Sequence, residues 1–314
     1  MLGRAGPFID WRGNTRKSTV GRTAGRATFL VTCALVPAVG LVLPAASSAS
    51  AAETRSKTFT KGANQPFTVP EGVTSLDITA IGESGRPGKY GGGAGGKGGV
   101  VTGTIPVKPG DVLYVNVATG GGKSVDGGDG GGSSDIRTCD STKSDCTLSA
   151  SSTNDPRLIV AGGGGGGASG MSWLPGFPDL DKALIGSGGN ADVMLPVDGT
   201  GIGGTGGKAP RRTVSWTDPN WKATPGAGGR GCTNDAGDAG GLGFGGSSDD
   251  GGGGGSGFAG GGSGSSCASW PNGVVELAPG GGGGGLHRVP DGGTSRLADG
   301  EQPEVRISFS VPAP

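Results

Sequence analysis

Six consecutive glycines, residues 162–167, follow directly on the run Arg157-Leu158-Ile159-Val160-Ala161. That run has the length and β-branched content of a short, fully buried strand. The glycines cannot prolong it cheaply. Lacking a side chain to pack, each costs about 0.5–1 kcal/mol more to order than alanine. Such a tract is ordinarily a flexible linker, yet this one is fused in mid-chain to core-like sequence. The same junction recurs where Val274-Val275-Glu276-Leu277-Ala278-Pro279 meets glycines 280–285. Two outcomes are open: a disordered glycine-rich matrix chain, or many tracts packed together on a β framework.

The packed outcome has a physical route. A polyproline-II-type helix has three residues per turn, a rise of ~3.1 Å and no internal hydrogen bonds. Six glycines in that form would span about 19 Å, and each N–H and C=O would need a partner on another segment or in water. Without side chains, neighbouring tracts can approach closely enough to bond backbone to backbone. The chain offers several of comparable length: 91–99, 120–132, 162–167, 251–255, 260–262 and 280–285. Ordering them costs ~1–2 kcal/mol per residue, so strands and disulfides must help. Strand-like sequence interleaves the tracts, which favours the packed bundle over disorder.

The N-terminus reads as a targeting segment. Arg4, Arg12, Arg16, Lys17, Arg22 and Arg26 precede an apolar stretch over 28–46, followed by Ala49-Ser50-Ala51. This is the order of a signal peptide, expected over 1–51, with the glycine-rich domain over 52–314. No run after residue 51 approaches the ~20 apolar residues of a membrane span, so release outside the cell is expected. Removing the segment leaves 20 basic and 25 acidic residues, a net charge of about −5. No basic stripe remains, which argues against a nucleic-acid partner. Six of the 75 glycines lie in the leader, leaving about a quarter of the exported residues as glycine with no strict triplet period along the chain.

Cys33 leaves with the leader, while Cys139, Cys146, Cys232 and Cys267 stay. An even count in an exported protein reads as two disulfides with three possible connectivities. Cys139 and Cys146 bracket a short polar loop and pair locally in this reading, leaving Cys232 with Cys267. No Cys-x-x-Cys spacing suggests zinc.

Alternation places strands at Phe67–Val69, at Leu76/Ile78/Ala80, over 133–138 and at Val305/Ile307/Phe309. Residues 100–107 and 112–117, joined by Lys108-Pro109-Gly110-Asp111, predict a hairpin. No helical period extends beyond a single turn.

Chemical motifs are weak. Gly120-Gly121-Gly122-Lys123-Ser124 resembles the end of a phosphate loop, but Val117 occupies the place of the first glycine and no helix can follow. Asp126, Asp129, Asp249 and Asp250 are oxygen donors of the type that bind Ca²⁺, although such residues more often form solvated turns. His287, the only histidine, sits in turn-like sequence and reads as a surface residue, so no catalytic group and no cofactor are expected. Trp173, Phe177, Trp216 and Trp221 lie in polar, proline-bearing excursions. Aromatic side chains are favoured binding anchors, and Arg211 and Arg212 beside them could grip carboxylates. Their other role would be to fold back over the glycine tracts as a small core.

The blocks Phe67-Thr68-Val69-Pro70, Leu76–Gly82, 100–117, Ser134-Asp135-Ile136-Arg137-Thr138 and Leu158-Ile159-Val160-Ala161 with its glycines carry a resemblance. Together they make the chain similar to secreted bacterial glycine-rich proteins whose domain resembles the glycine-rich region of the anaplastic lymphoma kinase and leukocyte tyrosine kinase receptor ectodomains. The resemblance implies an all-β fold: a jelly-roll-like β-sandwich with an inserted polyglycine-II helix bundle. In those receptors the region helps bind protein ligands, and phage tail-tip adhesins similarly use packed polyglycine helices to display recognition loops. The expected function is a secreted, non-enzymatic structural or recognition module for an extracellular protein or glycan. The competing expectation is an extracellular hydrolase with an unrecognised carboxylate site.

Overall fold

A computed structural model describes residues 52–151, 153–170, 186–192, 211–212, 222–229, 236–266 and 279–311. The leader, Trp173, Phe177, Trp216, Trp221, Cys232, Cys267 and the strand-like run before Pro279 lie outside the described residues.

The described chain is all strand and irregular segment, with no helix among the described residues. Eleven strands occur in the order β1 (Glu53–Phe59), β2 (Gly62–Thr68), β3 (Ser75–Ile81), β4 (Gly99–Pro106), β5 (Val112–Thr119), β6 (Ser133–Arg137), β7 (Arg157–Ala161), β8 (Arg211–Arg212), β9 (Ala223–Thr224), β10 (Thr294–Leu297) and β11 (Glu304–Val311). Two antiparallel sheets result, ordered β1-β11-β3-β4-β10 and β2-β5-β6-β7, besides the short β8–β9 pair. Leu76, Ile78 and Ala80, then Val305, Ile307 and Phe309, then Leu113, Val115 and Val117 point into one shared core. The alternation in the sequence is thus the inside–outside alternation of half-buried strands. At one edge of this core Phe67 packs edge-on against Phe59, with ring centroids 6.3 Å apart, and lies 5.9 Å from Phe309.

The predicted hairpin over 100–117 does not form. Strand β4 pairs with β3 and β10, whereas β5 pairs with β2 and β6. The turn after β4 instead carries the chain from one sheet to the other. Gly110 adopts φ +84° there, its N–H reaches the Val69 carbonyl at 2.9 Å, and the Val69 N–H reaches Asp111 at 2.9 Å. Crossing over lets Val101 and Ile105 face Leu113 and Val115 through the core, which a flat hairpin could not do.

The glycine tracts leave the sandwich directly from strand ends: after β3, before β4, after β5, before β6 and after β7. They are ordered by one another. Over 163–170 the N–H groups bond in rotation to three separate segments at 2.8–3.0 Å. Gly163, Gly166 and Ser169 donate to Ser256, Gly253 and Asp250; Gly164, Gly167 and Gly170 to Glu83, Arg86 and Lys89; Gly165 and Ala168 to Gly189 and Gly186. The carbonyls rotate likewise at 2.7–2.9 Å, accepting from Gly99, Gly96 and Gly93, from Gly285 and Gly282, and from Gly131 and Gly128. This tract therefore touches six others, and each neighbour takes every third residue. Residues 252–256 repeat the pattern, donating to 280 and 283, to 128 and 131, and to 246, while accepting from 264 and 261, from 166 and 163, and from 122.

The close approach explains the composition. A Cβ built on Gly164 would lie 2.1 Å from the Gly96 carbonyl oxygen, and on Gly166 1.9 Å from that of Gly128. Backbone atoms cannot swing aside like a side-chain tip, so both sites admit only hydrogen. Gly164→Ala and Gly166→Ala should each destabilise the protein by at least about 3 kcal/mol, read as a fall in the urea midpoint. Ala94→Val, on an exposed position of a neighbouring tract, should stay within about 0.5 kcal/mol of wild type.

Candidate functional site

The junction of sandwich and tracts is closed by buried charge. Asp155 precedes β7, and its carboxylate accepts a forked pair from Arg157, Nε at 2.8 Å and Nη2 at 2.7 Å. It also accepts the N–H groups of Ser149 at 2.8 Å and of Arg157 at 2.9 Å. Arg157 is fully buried. Its Nη1 donates to the Gly257 carbonyl at 3.1 Å, and its plane lies 4.3 Å from the Phe258 ring centroid. Arg288 donates to the carbonyls of Asp155 and Arg157 and stands 3.7 Å from the Asp155 carboxylate. Burial lowers the Arg288 guanidinium from its ordinary value; Asp155 opposes that shift and Arg157 adds to it. These contacts tie β7 to the segments at 257–258 and 288.

His287 belongs to the same junction and corrects the surface reading. It is buried, and its Nδ1 accepts the Gly162 N–H at 2.9 Å where the central tract leaves β7. The imidazole stands in for a neighbouring tract at the one point where the tract begins.

At the far end of the tracts the chain leaves the described array at Gly170 and Ser266 and re-enters at Gly186 and Pro279. Direct bonds bring these points together: Ala168 N–H to Gly186, Gly186 N–H to Pro279 and Gly280 N–H to Ser265. The Gly170 N–H reaches Lys89, in the turn that carries Tyr90. Elsewhere, the Asp192 N–H bonds to Gly285, and Lys222 is bridged to Ser151 near the sandwich. Arg211 and Arg212 form β8, with backbone partners Thr224 and Ala223.

Cys139 and Cys146 form the expected local disulfide, with Cα atoms 5.5 Å apart. Of the acidic candidates, Asp126 faces Lys89 at 3.2 Å and Asp129 faces Lys123 at 3.1 Å and Arg86 at 4.0 Å. Asp249 accepts the N–H groups of Val125 and Asp126 through its carbonyl, both at 3.0 Å. Among the described residues no group of three or more His, Cys, Asp or Glu side chains is placed to hold a metal ion. The phosphate-loop resemblance dissolves similarly: Lys123 is turned to Asp129, and the Ser124 hydroxyl lies 2.7 Å from the carbonyls of Asp249 and Gly251.

Sequence reasoning passed over the charge clamp, though a signal exists. Asp135-Ile136-Arg137 and Asp155-Pro156-Arg157 share an Asp-x-Arg spacing at a strand end, and in both the arginine forks its neighbour two residues back. A scan against protein-family models matches none, and a search of curated proteins finds no significant match.

Two measurements check these electrostatics. Asp155→Ala leaves the buried Arg157 and the partly buried Arg288 guanidinium groups without their carboxylate and should cost roughly 3–5 kcal/mol in urea unfolding. For Asp129, burial alone would raise the carboxyl, but the Ser124 N–H, Lys123 and Arg86 outweigh it and hold it below its ordinary value of 3.8. A depressed native value stabilises the fold above the ordinary value, and the gain is lost as pH falls through the native one. Asp129→Asn should therefore lose up to about 1 kcal/mol at neutral pH, with the gap to wild type closing below pH 3.8.

Proposed function

We propose that the protein is a secreted, non-enzymatic recognition module in which polyglycine-II helices, packed side by side on a jelly-roll-like sandwich, hold aromatic excursions for binding an extracellular protein or glycan. The observation that carries this reading is the rotation of hydrogen bonds over 163–170, which reaches a new neighbour at each residue and returns after three. Three residues per turn with no internal bond is the polyglycine-II geometry. Such a bundle is stiff, because displacing one helix leaves buried N–H and C=O groups unpaired at about 1–3 kcal/mol each. A stiff scaffold suits presentation: loops rooted on it are positioned without ordering at each encounter. The local disulfide at Cys139–Cys146 fits an oxidising compartment.

The test uses the purified protein on immobilised envelope and matrix fractions, together with a panel of glycosidase and peptidase substrates. Retention without turnover is expected. The double variant Trp216→Ala, Trp221→Ala should abolish retention while keeping the wild-type melting temperature. Turnover on any substrate would overturn the non-enzymatic reading, and unchanged retention of the double variant would remove the aromatic loops from it.

A further inference from the structure

We propose that a groove at the foot of the glycine array binds an acidic polysaccharide through its carboxylate or sulfate groups. This inference rests on the recognition-module reading and gives it a second surface, apart from the aromatic excursions. The groove encloses about 170 Å³ and is lined by Lys61, Glu83, Ser84, Arg86, Lys123 and Asp129 over a floor of Ala118 and glycine backbone. Three elements converge to make it: the turn between β1 and β2 brings Lys61, the tract after β3 brings Glu83 and Arg86, and the tract after β5 brings Lys123.

The charges there are unequally engaged. The two carboxylates are fixed by backbone: Glu83 accepts the Gly132 N–H at 3.1 Å, and Asp129 the Ser124 N–H at 3.0 Å. Both are less than a third exposed, whereas Lys61, Arg86 and Lys123 are about two-thirds exposed or more. Lys61 stands 3.6 Å from Glu83, and Arg86 4.0 Å from Asp129. Both separations exceed hydrogen-bond length, so these cations feel the carboxylates as charge while keeping donors for another acceptor. Lys123 commits one of its three donors, at 3.1 Å. Three cations over two carboxylates leave one net positive charge in the groove, on a domain whose overall balance is negative. An anionic ligand is drawn to this place.

The lining selects the ligand class. The single apolar side chain on the floor, Ala118, gives a peptide side chain little to bury. The Ser84 hydroxyl, whose oxygen accepts the Gly98 N–H at 3.2 Å and whose O–H can still donate, suits a ligand that carries hydroxyls beside its anionic group. Ala118 itself holds φ +54° in the irregularity where β5 shifts register against β6. Strain of this kind in a non-glycine residue collects at binding sites. The arginine fork matches a carboxylate or a sulfate edge, and the two lysines act as point charges beside it.

The test is affinity electrophoresis of the purified protein through gels containing polygalacturonate, dextran sulfate, neutral dextran or poly-glutamate. Retardation is expected with one or both acidic polysaccharides, weakening as salt rises, and not with neutral dextran; which acidic gel retards reports carboxylate or sulfate preference. The double variant Lys61→Gln, Arg86→Gln should weaken binding at least about tenfold at an unchanged melting temperature, and Arg86→Lys should recover only part of it. Equal retardation by poly-glutamate, retardation by neutral dextran, or wild-type binding by the double variant would overturn the proposal. So would free migration in every gel. If that result came with envelope retention still dependent on Trp216 and Trp221, the groove alone would be rejected and the module reading would stand.

Discussion

The array depends on one interaction: a peptide N–H meeting the carbonyl of a different segment at a separation that leaves no room for Cβ. In a sheet each residue serves at most two neighbouring strands, and side chains leave through the two faces. In this array the glycines over 162–167 serve six neighbours, so no direction remains for a side chain there. Glycine is needed here for close approach more than for any unusual dihedral angle, since the central tract residues carry no positive φ. The cost is large conformational entropy with almost no apolar burial in return. Complete pairing has to compensate, and a single missing partner inside costs more than a typical bond contributes.

That dependence explains why the sandwich and the charge clamp sit where they do. A free polyglycine tract has no reason to choose one register over another, because every residue is alike. The strands supply the register. Gly82, Gly99, Gly120, Gly132 and Gly162 each lie within a residue of a strand end, and strand pairing is itself fixed by alternating side chains in the core. His287 caps the first N–H of the central tract, and the Asp155–Arg157–Arg288 group locks Gly257 and Phe258 to β7. Buried ion pairs are poor sources of net stability but demanding about geometry. Register is the property this array lacks and such contacts provide.

The sandwich was legible because its signals are side chains: the core positions of β3, β5 and β11 follow directly from period two. The crossing between β4 and β5 was not, since a Pro-Gly turn between apolar runs looks the same whether it closes a hairpin or changes sheets. The tracts carry a finer signal than their glycine content. Gly82-Glu83-Ser84-Gly85-Arg86-Pro87-Gly88 keeps glycine at every third position, and a Cβ at 82, 85 or 88 would strike the central tract. Gly92-Gly93-Ala94-Gly95-Gly96-Lys97-Gly98 keeps two of three, with Ala94 and Lys97 exposed. The central tract keeps all three. Glycines per triplet thus report how many sides of a tract are covered, a local period invisible to a search for one strict repeat. His287 was misread because nothing local distinguishes a buried imidazole whose partner lies 125 residues away.

The same triplet rule limits where recognition chemistry can reside. Inside the array every position is closed, so functional side chains are confined to the third residues of outer tracts, to the turns and to the excursions. Arg86 and Asp129 are third-residue positions on adjacent outer tracts, which places them side by side without any dedicated loop. Successive triplets along one tract present Glu83 and then Arg86. An outer face of this kind is a ruler: its side-chain identities can change freely while their spacing is held by backbone bonds behind them. The groove lined by Lys61, Arg86 and Lys123 lies where that spacing meets the strand ends.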